Sequence, residues 1–205
     1  MEERVTFSAG DAVLEGLLSL QAPVAKTAVV VCHPHPLYGG EMHNNVVEGL
    51  VVALRKAGHA TLRFNFRGVG GSSGEHGQGV AEIEDVKGAI SCLLDRQLFE
   101  TLVVAGYSFG SMVGLKAGAE DARVHKLIGV ALPCASRDVS FLNDVSKPTL
   151  LISGDRDDIS PVADLQALHA KLRGPKDLVI LRGADHFFRS REIEVADAAL
   201  KFLDA

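Results

Sequence analysis

Cysteine is scarce in this sequence. Cys32, Cys92 and Cys134 are odd in number and widely spaced, with no C-x-x-C pair among them. A disulfide scaffold and a thiolate zinc site are thereby excluded, and three reduced, mostly buried thiols of a cytoplasmic protein are expected. No apolar run approaches the ~18 residues that a membrane span needs. Positive charge is not in excess: 21 Lys and Arg face 26 Asp and Glu, a formal net charge of −5. That balance gives no electrostatic reason to bind nucleic acid or an anionic membrane. The start, Met1-Glu2-Glu3-Arg4-Val5, has neither a basic n-region nor an apolar h-region, so no signal peptide is expected. An interdomain linker, repeats, low-complexity tracts and charge blocks are missing too, the polar loop Gly68 to Gly79 being the nearest candidate for a linker. What remains is 205 residues, 47% hydrophobic and 23% charged, the profile of a compact globule. Folding at this size buries roughly 70% of the unfolded surface, enough for one core without staples. One domain over residues 1–205 is expected.

Short apolar, β-branched runs alternate with helical patterns. The runs are Ala28–Cys32, Ala60–Phe64, Leu102–Ala105, Leu127–Ala131, Thr149–Ile152 and Leu178–Leu181. Most lack polar–apolar alternation, as strands covered on both faces do, which points to a parallel sheet. Between them Val47, Leu50, Val51 and Leu54 share one helical stripe, as do Ile83, Val86, Ile90 and Leu93. Val162, Leu165, Leu168 and Leu172 form a third, and Ile193, Ala196, Leu200 and Leu203 a fourth. Ser160-Pro161 reads as an N-cap followed by a first-turn proline, and Gly174-Pro175 as the stop. Val5–Phe7 and Val13–Leu20, joined at Ala9-Gly10-Asp11, read as an antiparallel edge hairpin. The expected fold is α/β, a mostly parallel doubly wound sheet with that hairpin at its edge.

Gly106-Tyr107-Ser108-Phe109-Gly110 fits G-x-S-x-G, between a strand and a helical stretch. A serine on so sharp a turn needs small neighbours and projects its hydroxyl beside a helix N-terminus. The hydroxyl is a poor nucleophile until a base takes its proton. Of eight histidines, His186 in Gly183-Ala184-Asp185-His186-Phe187-Phe188 follows the last strand, on the rim where Ser108 lies. His59, His76, His125 and His169 fall on helix ends or polar loops and are expected to be solvated. The acid that orients the base is sought among Asp155, Asp157 and Asp158, all in one loop on that rim, and periodicity does not choose among them. Two backbone N–H groups should face the developing oxyanion. The residue after the serine, Phe109, offers one. In His33-Pro34-His35-Pro36 the prolines have no N–H, and His35, past the strand end, is the choice for the other. A metal site at His33-x-His35 lacks a third ligand of matching spacing, and Gly68–Gly74 fails G-x-G-x-x-G at Ser73. Neither a metal nor a cofactor is expected.

Taken together these residues resemble the α/β-hydrolase superfamily over nearly the whole chain. Ser108 matches the family nucleophile. Phe66-Arg67-Gly68-Val69-Gly70-Gly71-Ser72 is similar to the family's R-G-x-G-x-S loop, and Gly154 to Pro161 to its G-x-x-D-x-x-x-P acid motif, a match that selects Asp157. Gly183 to Phe188 matches the histidine motif. The loop His33 to Gly40 is similar to that of small, lidless, dienelactone-hydrolase-like serine esterases of bacteria, although most of the superfamily has His-Gly where this chain has His33-Pro34. Dienelactone hydrolases proper use a cysteine nucleophile, which Ser108 is not. Leu132 to Lys147 leaves only about sixteen residues where family caps enter, too few for a cap domain. The resemblance implies a serine hydrolase acting on small-molecule esters or thioesters with small or exposed acyl groups. Catalysis falls to Ser108, His186 and Asp157, with Phe109 and His35 as backbone oxyanion donors. Acyl transfer or peptide cleavage by the same residues, and a binding module on this scaffold, are the alternatives.

Overall fold

The computed structural model describes residues 2–21 and 25–205. Met1, the first residue of the start read above for a signal peptide, lies outside them. Among the described residues eight strands form one sheet in the order β1-β2-β4-β3-β5-β6-β7-β8. They are β1 (Glu3–Ala9), β2 (Ala12–Ser19), β3 (Thr27–Cys32), β4 (Ala60–Phe64), β5 (Thr101–Tyr107), β6 (Lys126–Val130), β7 (Thr149–Gly154) and β8 (Lys176–Leu181). β1 and β2 form the expected hairpin at one edge, β2 runs antiparallel to β4, and β3 to β8 are mutually parallel.

Among the described residues five α-helices cover both faces: α1 (Asn45–Lys56), α2 (Glu82–Leu94), α3 (Phe109–Glu120), α4 (Val162–Lys171) and α5 (Glu192–Asp204). Because β3 and β5 are covered on both sides, alternate residues feed two cores. Val30, Cys32 and Val104 join the core under α2 and α3, while Val29, Val31 and Val103 join the one under α1 and α5. A continuous apolar run is what such a position selects. Between β6 and β7 there is a 3-10 turn, Ser140–Asp144, and no inserted cap.

Three local expectations are corrected. Ser160 does not cap α4: its hydroxyl donates to the Ala131 carbonyl at 3.1 Å, and Pro161 stands at the N-cap position. In α5 the inward stripe is Val195, Ala199 and Phe202, with Ala196 beside it, and Ile193 is exposed. α5 lies close against α1 at its start, where a Cβ on Gly49 would come within 2.8 Å of the Glu192 Cβ. Cys32 is buried, but Cys92 and Cys134 are half-buried, and all three are unpaired. The polar loop Gly68–Gly79 is held against the sheet. Ser72 donates to the Asn65 carbonyl at 2.7 Å, and Ser73 N–H to the Val13 carbonyl at 2.9 Å, so the loop is tied to β2 and β4.

Candidate active site

The chain order reverses across the sheet between β3 and β5, which are direct neighbours with Cys32 opposite Gly106. The loops leaving their C-terminal ends diverge around a crevice, the place where α/β sheets hold ligands. Ser108 stands there at φ 55°, ψ −119°, a left-handed conformation that costs a non-glycine residue about 1–3 kcal/mol. The surroundings impose it. Ser108 N–H donates to the Val130 carbonyl at 2.8 Å, and the Ser108 carbonyl accepts from Ser111 Oγ at 2.6 Å. Both flanking glycines are required by space: a Cβ on Gly106 would strike the Gly110 backbone, and one on Gly110 the backbone of Cys32 and His33.

Ser108 Oγ lies 3.0 Å from His186 Nε2. His186 Nδ1 lies 3.0 and 2.9 Å from the two oxygens of Asp157. Asp157 and His186 are only 4% and 6% exposed, whereas Asp155 and Asp158 face solvent. Asp155 instead accepts from the Gly183 N–H, bracing the histidine loop. Asp157 Oδ1 also accepts from Ile159 N–H at 2.9 Å and Ser160 N–H at 2.7 Å, which fixes the carboxylate's rotation. Behind His186, Tyr107 Oη donates to its carbonyl at 2.8 Å. Burial, then the charges of Asp157 and Asp185, push the Tyr107 hydroxyl well above its ordinary pKa, so it remains a donor.

His35 and Phe109 face each other across the crevice, with ring centroids 4.7 Å apart. The His35 carbonyl accepts from Tyr38 N–H at 3.1 Å and Gly40 N–H at 3.0 Å, which winds the loop tightly. Among the described residues, neither the His35 N–H nor the Phe109 N–H has an acceptor. Burial, followed by the charges of His76 and Arg137, lowers the His35 imidazole's pKa. His33 plays a different part. Its Nε2 accepts from Phe66 N–H at 3.0 Å and its Nδ1 donates to the Pro34 carbonyl at 2.7 Å, so both nitrogens are spent inside the protein. Burial pushes its pKa down to about 4.

A cavity of about 600 Å³ opens over Ser108 and His186. Its wall is mostly apolar, with Met112, Phe187 and Ile159 among the lining, and Arg137 is the one permanently charged side chain among the described residues that line it. Among the described residues no three metal-ligating side chains cluster, and no helix is long and apolar enough to cross a membrane.

Sequence reasoning missed Tyr107, whose bond to His186 spans 79 positions. It also misjudged His76. Its side chain is only 13% exposed, and Nδ1 lies 2.8 Å from Oε1 of the buried Glu82. His59 and His169 are half-buried as well, while His125 is exposed as expected.

A family model described as alpha/beta hydrolase fold matches residues 27–139. An uncharacterized protein of Rickettsia prowazekii (strain Madrid E) is 33% identical over 194 residues, covering 90% of this chain and 80% of that protein. An alpha-beta serine hydrolase homologue from Coxiella burnetii superposes with a TM-score of 0.91 at 34% identity, over 98% of this chain and 97% of that one. A serine hydrolase without lid from Xanthomonas campestris superposes with a TM-score of 0.90 at 32% identity, over 99% and 94%.

Proposed function

The chain belongs to the α/β-hydrolase family, and from that premise we propose that it is a one-domain serine hydrolase of carboxylic esters or thioesters with small or exposed acyl groups. Ser108 Oγ attacks the carbonyl carbon while His186 Nε2 takes its proton. Asp157 accepts the Nδ1–H of His186, which leaves the Nε2 lone pair facing the serine and stabilises the imidazolium that forms. The N–H groups of Phe109 and His35 receive the oxyanion. Protonated His186 then delivers its proton to the departing alcohol or thiol, leaving an acyl group on Ser108. Water, deprotonated by His186, attacks that acyl-enzyme, and the acid leaves as Ser108 recovers its proton.

One observation carries this reading: the unbroken chain of short contacts that starts on a serine held at positive φ and runs from Ser108 Oγ through His186 to Asp157. The two N–H groups without acceptors and the lidless kinship with the Xanthomonas protein support it. The open, largely apolar cavity suits a short acyl chain better than a long one. Three unpaired thiols accord with a cytoplasmic setting.

The test is turnover of p-nitrophenyl esters of graded acyl length by the wild type and Ser108→Ala. The proposal expects the highest kcat/KM at short acyl chains and at least a ~10³-fold loss of kcat in the variant. Equal turnover by both proteins contradicts it. Product analysis with competing alcohols or amines separates hydrolysis from acyl transfer.

A further inference from the structure

The mechanism leaves one histidine–carboxylate pair unused, the half-buried His76 beside the fully buried Glu82, and the histidine ring packs against both residues assigned to the oxyanion. The His76 ring lies 5.0 Å from the His35 ring and 5.5 Å from the Phe109 ring, centroid to centroid. With the 4.7 Å His35–Phe109 contact, these distances close a three-ring cluster. The loop carrying His76 is anchored rather than draped. Glu82, fully buried in the first turn of α2, accepts from the Gly77 N–H at 2.7 Å and the Gly79 N–H at 2.8 Å, and its Oε1 also lies 2.8 Å from His76 Nδ1. Gly79 is pressed against α3 so closely that a Cβ there would lie 2.8 Å from Met112 Cε and 3.5 Å from Phe109 Cε2. His76 does not line the cavity above Ser108.

We propose that His76 is a positioning residue: carried beside Glu82 on the loop that Glu82 anchors, its ring buttresses the His35–Phe109 pair and thereby aims the two free N–H groups at one point. This rests on the hydrolase reading above. The physical reason is geometric. His35 stands on a loop that bonds to itself through Tyr38 and Gly40, and Phe109 opens a helix, so their N–H groups belong to separate elements. A shared ring contact couples the two, and a preorganised pair of donors costs no rearrangement when charge develops. Deleting one such donor typically slows a reaction by ~10²–10³, so slackening both should cost about 10- to 100-fold.

The experiment compares wild type with His76→Ala, His76→Phe and His76→Gln. It measures kcat and KM on one short p-nitrophenyl ester, melting temperature, and inhibition by an alkyl boronic acid, whose tetrahedral adduct on Ser108 would put an oxygen between the two N–H groups. The expected result is a kcat about 10- to 100-fold lower for His76→Ala, with KM within about threefold. Boronate affinity should fall in parallel with kcat. His76→Phe, which keeps a ring, should stay within about threefold of wild type in all three. A His76→Ala protein with wild-type kcat overturns the proposal, as does a His76→Phe protein that loses as much as the alanine variant. Should His76→Ala fail to fold, His76→Gln decides: reduced kcat at wild-type melting temperature supports the proposal, and wild-type kcat overturns it. A wild type that turns over no ester and takes up no fluorophosphonate overturns the hydrolase reading itself, and this proposal with it.

Discussion

Replacing Asp157 with asparagine probes the site at its most constrained atom pair. Oδ1 of Asp157 accepts from two backbone N–H groups, of Ile159 and Ser160, and from His186, whereas the partner of Oδ2 is His186 Nδ1 alone, at 2.9 Å. Asparagine must keep its carbonyl oxygen at the Oδ1 position, because an NH2 there would meet two N–H donors. Its amide nitrogen therefore takes the Oδ2 position, opposite His186 Nδ1. Two donors cannot share that contact, so the imidazole shifts its proton to Nε2, and the N–H then faces Ser108 Oγ. A base in that tautomer cannot accept the serine proton. The same substitution in the well-studied serine-protease triad lowers kcat by about 10⁴, equivalent to roughly 5 kcal/mol of barrier. The same size is expected here. Stability should change little, since the backbone N–H groups keep their acceptor. Asp157→Ala, by contrast, strands those donors and should cost about 1–3 kcal/mol as well. Steady-state ester hydrolysis and thermal unfolding of both variants supply the numbers. An Asp157→Asn protein that keeps more than a tenth of wild-type kcat refutes this assignment of the tautomer.

Other consequences follow from the same contacts. Gly110→Ala puts a Cβ against the backbone carbonyls of Cys32 and His33, which cannot yield as a side chain would; a loss of about 3 kcal/mol or more is expected in urea unfolding, and a wild-type midpoint refutes it. Tyr107→Phe removes the 2.8 Å bond to the His186 carbonyl; stability should fall by about 1 kcal/mol and kcat with it, while KM stays unchanged. His33 titrates near pH 4 when folded but near its ordinary 6.5 when unfolded. The unfolded chain therefore gains a proton between those values that the native state does not, so this contribution is whole above pH 6.5 and drains away as pH falls toward 4, about 3 kcal/mol in all. His33→Gln should lose less stability than wild type between about pH 7 and pH 4.5, as read from urea midpoints, and an equal acid-induced loss contradicts the assignment.

The strands are legible in the sequence because a sheet covered on both faces demands apolar runs, and few other contexts place Val29, Val30 and Val31 in a row. The serine turn is legible for a local reason: two glycines exclude a Cβ at fixed offsets from Ser108, so the constraint is written within the pentapeptide Gly106–Gly110. Choosing among Asp155, Asp157 and Asp158 is not a local matter. Their difference is burial, set by a histidine 29 positions away, and only the family resemblance singles out Asp157. His76 is illegible for a related reason. It stands in a loop of Gly, Ser and Glu that reads as solvated, and Glu82 draws that loop inward onto α3. The α5 stripe is misleading because alanine is apolar enough to satisfy two helical faces, and contact with α1 selects between them.

Central to the proposed mechanism is that Ser108 is a nucleophile because His186 lies 3.0 Å from its hydroxyl. Intact-protein mass spectrometry after exposure to a fluorophosphonate, followed by peptide mapping, tests it most directly. One adduct per chain is expected, on Ser108, formed rapidly in the wild type and not at all in Ser108→Ala, with His186→Ala labelled far more slowly. A folded wild-type protein that takes up no label, or carries it on another residue, contradicts the mechanism.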